Sequence, residues 1–102
     1  MSGRLSRDKG NGYERELVNR AKEYGLPAQR VPLSGATTYA KGDIEITPQF
    51  ADRPWVGECK RRAALPVWIK AALGGNDFLA MRADRDETLV VLRLDTFLEL
   101  LQ

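Results

Sequence analysis

The stretch GDIEITPQFADRPWVGECKR, residues 42–61, decides how the chain is read. Asp43–Thr47 alternates polar and apolar residues, with Ile44 and Ile46 on one face, and Trp55–Lys60 alternates again. Pro48 and Pro54 bracket the turn between them. Two alternating runs joined by a proline-bounded loop predict an antiparallel hairpin. Centring its turn between Phe50 and Ala51 sets Asp43 opposite Glu58, Ile44 opposite Gly57 and Ile46 opposite Trp55. Side chains alternate along a strand, so one face becomes apolar and includes Cys59, while the other collects Asp43, Glu45, Glu58 and Lys60.

Two carboxylates facing each other across a hairpin repel unless a cation sits between them. Lys60 is one such cation, which makes this a solvated hairpin face with a salt-bridged lysine. A divalent metal is the other. Carboxylate oxygens are hard ligands suited to Mg²⁺, which keeps several waters and is bound by one or two carboxylates plus a phosphate. Water bound to such an ion has a lowered pKa and can attack a phosphodiester, while the ion and a lysine offset the developing negative charge.

Outward from the hairpin, Tyr13, Leu17, Ala21 and Tyr24 recur at helical spacing over residues 11–24, and Gly25 supplies a stop. Glu14, three residues after Asn11, reads either as the back-reaching half of a capping box or as a carboxylate aimed at the hairpin. Residues 1–10 are polar, basic and glycine-containing, and are expected to form a flexible arm. Ala28–Val31 reads as a short strand. Arg30 on it and Ser34 in the loop LSGATTYAKG beyond are either a surface arginine and a turn serine or a phosphate clamp. Downstream come a helix at Val67–Leu73 stopped by Gly74 and Gly75, strands at Phe78–Arg82 and Thr88–Leu94, and a last helix, Thr96–Leu101, with Asp95 as its N-cap. The predicted order is α-β-β-β-α-β-β-α. Trp55, Trp68, Phe78 and Phe97 fall in apolar-periodic stretches and are expected in the core. Phe97, Leu98 and Leu101 form one apolar stripe of the last helix, a candidate dimer contact.

Composition narrows the chemistry. The chain has 102 residues, enough for one small domain. It contains no histidine, which removes Ser-His-Asp and Cys-His catalysis and imidazole zinc sites. Its single cysteine excludes an internal disulfide and suits the cytoplasm. No window is apolar enough to span a membrane, and the start lacks the apolar core of a signal peptide. Residues 1–62 carry 12 basic and 8 acidic side chains, residues 63–102 carry 4 and 6. This basic N-terminal part points to a polyanionic partner. Basic groups at Arg4, Arg7, Lys9, Lys60, Arg61 and Arg62 flank the carboxylates, as drawing DNA over an acidic centre requires.

The motifs together resemble a known family. Lys9-Gly10-x-x-Tyr13-Glu14-Arg15-Glu16-Leu17-Val18, Gly25-Leu26-x-Ala28-x-Arg30-Val31-Pro32-x-Ser34-Gly35, Gly42-Asp43-Ile44 and Val56-Gly57-Glu58-Cys59-Lys60-Arg61 are similar, in order, to the archaeal-type Holliday junction resolvases of the PD-(D/E)XK nuclease superfamily. The resemblance covers residues 9–61. Gly42 stands where that pattern has proline, and residues 63–102 show no quotable match.

The resemblance implies an α/β, restriction-endonuclease-like fold with a central mixed sheet flanked by helices, the first helix packed beside the catalytic hairpin. It implies Mg²⁺, with Mn²⁺ substituting, held by Asp43 and Glu58, by Glu14 directly or through water, and by the backbone carbonyl of Cys59. Glu14, Asp43, Glu58 and Lys60 would be catalytic, with Lys60 positioning the attacking water or stabilising the pentacovalent phosphate. Lys9, Arg15, Arg30, Ser34, Arg61 and Arg62 would contact DNA. The implied activity is structure-selective cleavage of DNA, foremost at four-way junctions, by a homodimer, since symmetric cutting needs two active sites. A nuclease of the same fold acting on nicks, flaps or phage replication intermediates, and a non-catalytic DNA-binding module of that fold, are the competing readings.

Overall fold

The computed structural model describes residues 2–31 and 43–102. Its elements are α1 (Ser2–Glu23), β1 (Ala28–Arg30), β2 (Ile44–Ile46), β3 (Trp55–Gly57), α2 (Val67–Leu73), β4 (Leu79–Met81), β5 (Leu89–Val91) and α3 (Leu94–Leu101), the predicted order. Residues 2–10, expected as a basic arm, are the first half of α1. The glycines at 3, 10 and 12 each cost about 1 kcal/mol relative to alanine and argue against a helix there. Arg4, Leu5, Arg7 and Lys9 are good helix formers, and no proline interrupts the chain before Pro27.

The C-terminus of α1 forms where Gly25 demands it. Gly25 has φ +78°, a left-handed conformation that glycine adopts without a side-chain clash. Its N–H donates to the Lys22 carbonyl at 2.9 Å and the Leu26 N–H donates to the Ala21 carbonyl at 3.2 Å, the paired bonds of a Schellman motif. Ala21 and Leu26 are both buried, supplying the apolar contact that accompanies that motif.

The chain divides into two compact units, Met1–Arg61 with Leu101–Gln102, and Arg62–Leu100. In the first, β1, β2 and β3 form an antiparallel sheet in that order, with α1 packed on β1 and β2. Its core is Val18, Ala21, Leu26, Val31, Ile44 and Ile46. In the second, β4 and β5 pair antiparallel, Leu79 with Val91 and Met81 with Leu89. Arg93 donates to the carbonyls of Gly74 and Asn76 and so holds the turn after α2.

The expected central mixed sheet is therefore corrected to two antiparallel sheets. A parallel neighbour requires a crossover that returns a strand to the same sheet. After β3 the chain passes through α2, but β4 pairs with β5 in a ladder of its own. Three further expectations change. Trp55, Trp68 and Phe78 are exposed and Phe97 is half-buried, so these aromatics do not make the core. Leu98 and Leu101 are fully buried, so the stripe of α3 is core and not a spare surface. Finally, α3 begins at Leu94, because the Phe97 N–H donates to the Arg93 carbonyl at 3.1 Å. Asp95 thus sits in the first turn, where its charge complements the helix dipole, and not at the cap.

Candidate active site

The register of the hairpin is the one its prolines imply. Ile44 pairs with Gly57, Glu45 with Val56 and Ile46 with Trp55. Asp43 and Glu58 lie just past the last paired residues, where the expected pairing of the two is not part of the ladder. Asp43 is fixed by three hydrogen bonds. Its N–H donates to the Gly57 carbonyl at 2.7 Å, and its carbonyl accepts from the Val31 N–H at 2.9 Å. Its side-chain Oδ2 accepts from the Cys59 N–H at 2.7 Å. The third bond ends the ladder: a carboxylate serves as the acceptor for the Cys59 N–H, so β3 stops at Gly57 while Cys59 stays tied to Asp43.

Lys60 Nζ lies 2.9 Å from Glu58 Oε2, with both side chains about half exposed. The cation beside Glu58 is, in this structure, the lysine two residues along the chain. Such an exposed pair contributes little to stability and exchanges readily with water or another cation.

Glu14 does not cap a helix, because α1 runs unbroken through residues 11–14. With Val18 and Ala21 it follows the i, i+4, i+7 spacing of the buried face. Its side chain is only 17% exposed, and its Oε1 accepts from Arg30 Nε at 2.9 Å. Arg30 pairs with Ile44 in the β1–β2 ladder, which puts it on the face that α1 covers. Sequence reading missed this ion pair. The signal was present, since a carboxylate one turn before Val18 on an apolar stripe requires a partner.

The thiol of Cys59 reports on the neighbourhood. Burial first, and then the negative charges of Asp43, Glu14 and Glu58, push it up from 9.0 to about 11. Three carboxylates from α1, β2 and the end of β3 therefore act on one atom. Among the described residues, no three His, Cys, Asp or Glu side chains stand close enough to enclose an ion. The two hard carboxylates of Asp43 and Glu58 nonetheless fit a hydrated Mg²⁺, which needs no all-protein cage. The protonated, soft sulfur of Cys59 does not suit that ion, leaving only its carbonyl oxygen as a donor of the right kind.

Of the residues expected to meet DNA, Arg15, Arg61 and Arg62 are exposed and Arg30 is engaged with Glu14. Lys9 is on α1, and Ser34 lies outside the described residues. Among the described residues, no helix is long and apolar enough to cross a membrane.

A family model described as "Phage putative PDDEXK endonuclease" matches residues 5–76, which include Glu14, Asp43, Glu58 and Lys60. No curated protein and no solved structure matches the chain.

Proposed function

Since the chain belongs to the phage PDDEXK endonuclease family, we propose that it hydrolyses DNA phosphodiesters in a Mg²⁺-dependent reaction at branched structures, four-way junctions first among them. The observation that carries this reading is the hairpin of β2 and β3, from whose open end Asp43 and Glu58 follow on directly, with Asp43 bonded to the Cys59 N–H and Lys60 beside Glu58.

Asp43 and Glu58 would hold the cation, with the Cys59 carbonyl as a further donor. Bound there, the ion supplies positive charge against a phosphoryl oxygen and lowers the pKa of a water. The protein's own groups do the rest. The bond from the Cys59 N–H fixes the Asp43 carboxylate and lets it act without reorganising. Lys60, released from Glu58, faces the negative charge that develops as water adds to phosphorus and one P–O bond breaks. Arg30 holds Glu14 in one orientation at the edge of the acidic centre. The positive excess of residues 1–62 brings the DNA backbone to that centre.

Symmetric cutting of a four-way junction calls for a two-fold dimer. Supporting it are Val67, Phe78, Leu89 and Val90 in the second unit, each more than half exposed. A second reading, cleavage of flaps or replication intermediates, is favoured by the phage description of the family. The test is incubation with Mg²⁺ and matched four-way junction, flap and linear duplex DNA, with light scattering of the free and junction-bound protein. Cleavage that requires Mg²⁺ and is lost in both Asp43→Asn and Glu58→Gln is expected. Full activity in either variant sinks the assignment of the acidic pair, and a protein that binds all three DNAs but cuts none is a binding module. A monomer on junction DNA removes symmetric cutting and leaves the nuclease reading standing.

A further inference from the structure

Glu45 shares a face of the sheet with Asp43 and holds neither metal nor phosphate in the proposed reaction. The Asp43 carbonyl takes the Val31 N–H at 2.9 Å and so continues the β1–β2 ladder by one residue. Alternation along β2 then turns Asp43 and Glu45 to one face and the buried Ile44 and Ile46 to the other. Gln29 and Val56 are the ladder partners of Glu45 on its two sides. Pro27, Ala28, Gln29, Glu45, Thr47 and Pro54 line a cleft of about 280 Å³. Within it the Gln29 side-chain amide donates to Glu45 Oε1 at 2.9 Å. Among the described residues no lysine or arginine pairs with Glu45.

A neutral amide, not a cation, therefore orients this carboxylate. Glu45 Oε2 and Gln29 Oε1 remain as acceptors in the cleft. A carboxylate so near a phosphate-handling centre repels the DNA backbone, and the phosphates and deoxyriboses within a strand have no hydrogen-bond donor to offer it. The donors of DNA are the N–H groups of its bases. In the major groove these are the N6 amino group of adenine and the N4 amino group of cytosine. Guanine and thymine present their O6 and O4 acceptors there instead. Carboxylate with cytosine N4 and glutamine with adenine N6 are the pairings that geometry favours. A cleft of acceptors thus attracts adenine or cytosine and disfavours the other two. Glu45 lies two residues from Asp43, about 7 Å along the strand, which is roughly two base-pair steps of duplex.

We infer that Glu45, tied to Gln29, is a specificity residue that accepts a hydrogen bond from the amino group of an adenine or cytosine close to the bond to be cut. The inference rests on the nuclease reading and adds a sequence preference to a substrate otherwise chosen by its branching.

The test uses the full chain without divalent metal and pools of four-way junctions and flaps whose base pairs beside the branch point are randomised. Bound and free DNA are sequenced. At one position adenine and cytosine are expected to be preferred about 10-fold over guanine and thymine. In the preferred DNA, purine in place of adenine, or 2-pyrimidinone in place of cytosine, deletes only the amino group and should weaken binding by the parent protein about 10-fold. Glu45→Val keeps a strand-forming side chain beside Val56 and removes the acceptors. This variant should bind all sequences alike, the amino-free DNA included, even where loss of the charge raises its affinity for every DNA. A flat base distribution in the parent's bound fraction overturns the inference, as does a parent that binds none of the pool. So does an amino-group deletion that costs the parent nothing, or that costs Glu45→Val as much. The deletion is read on unaltered protein, so the answer does not depend on the variant folding. Because preference is read from binding without metal, Mg²⁺-dependent cleavage by the same protein reports separately on the nuclease reading. Cleavage can persist with no base preference, and the preference can persist with no cleavage.

Discussion

Asp43 joins two jobs that substitution can separate. Its Oδ2 accepts the Cys59 N–H at 2.7 Å in a half-buried position, and the same carboxylate is one of the proposed ligands. Asp43→Asn keeps a side-chain oxygen for Cys59 but removes the charge. A hydrogen bond to a charged group is worth about 1.5–3 kcal/mol and a neutral one about 0.5–1.5, so the asparagine variant should lose roughly 1 kcal/mol. Asp43→Ala leaves the Cys59 N–H without this acceptor and should lose roughly 2 kcal/mol. For a chain of this size the difference corresponds to about 4–8 °C in melting temperature. Urea unfolding at constant pH measures the first quantity and calorimetry the second, while cleavage assays on branched DNA should find both variants inactive. Metal-free DNA binding should be unchanged or stronger in both, because a charge that repels phosphate is gone. Identical unfolding midpoints for Asn and Ala would refute the reasoning that the ladder ends on this carboxylate. Residual cleavage in Asn alone would show that position, and not charge, is what the site uses.

Lys60→Ala should slow cleavage by about 10²–10³-fold and leave the unfolding midpoint within about 0.5 kcal/mol of the parent, since its only described partner is an exposed carboxylate. An unfolded variant would make Lys60 a structural counter-ion. Arg30→Gln should cost roughly 1–2 kcal/mol by leaving Glu14 half-buried and unpaired, and adding Glu14→Gln should recover part of that loss in a double-mutant cycle; strict additivity argues against the pair. The thiol of Cys59, raised from 9.0 to about 11, favours the neutral form in the folded chain. Its contribution to stability is therefore complete below pH 9 and declines as pH climbs through 11. In metal-free protein, Cys59→Ser should flatten that decline, and alkylation of the native thiol at pH 8 should be slow because thiolate is scarce. Rapid alkylation of the folded chain would contradict the placing of three carboxylates around it.

The hairpin was legible because two prolines fix the length of its loop and alternation fixes its faces, so a single register satisfies both Ile44 and Ile46. Gly25 was legible because a left-handed turn after an apolar stripe leaves few residue choices. Glu14 was misjudged as a possible cap because helix propensity, lowered by Gly3, Gly10 and Gly12, hid the true start of α1. Its pairing with Arg30 joins residues 16 apart, and short-range spacing does not encode that distance. The aromatics were misplaced for another reason. Hydrophobicity says that Trp68 and Phe78 prefer to leave water, but not whether their own unit has a second layer to receive them. In the second unit only Leu73 and Leu98 are fully covered. The mixed sheet failed because partner choice between strands of three residues is set by tertiary packing, not by the alternation within each strand.

The first unit includes Leu101 and Gln102, some forty residues downstream of the rest of it. Gln49 on the hairpin loop donates its N–H to the Leu101 carbonyl and its side-chain amide to the Gly25 carbonyl, while the Gln102 side chain donates to the Tyr24 carbonyl. A polypeptide emerges from the ribosome in one direction at about 5–20 residues per second, so roughly 2–8 s separate Arg61 from Leu101. During that interval α1 and the hairpin can pair, but the loop that carries Phe50 lacks its bond to Leu101. Fragments ending anywhere in the second unit inherit the acidic residues without the clasp that steadies the loop between them. The fold thus contains its own delay: the hairpin loop is tied down by a segment read some forty residues after the hairpin is complete.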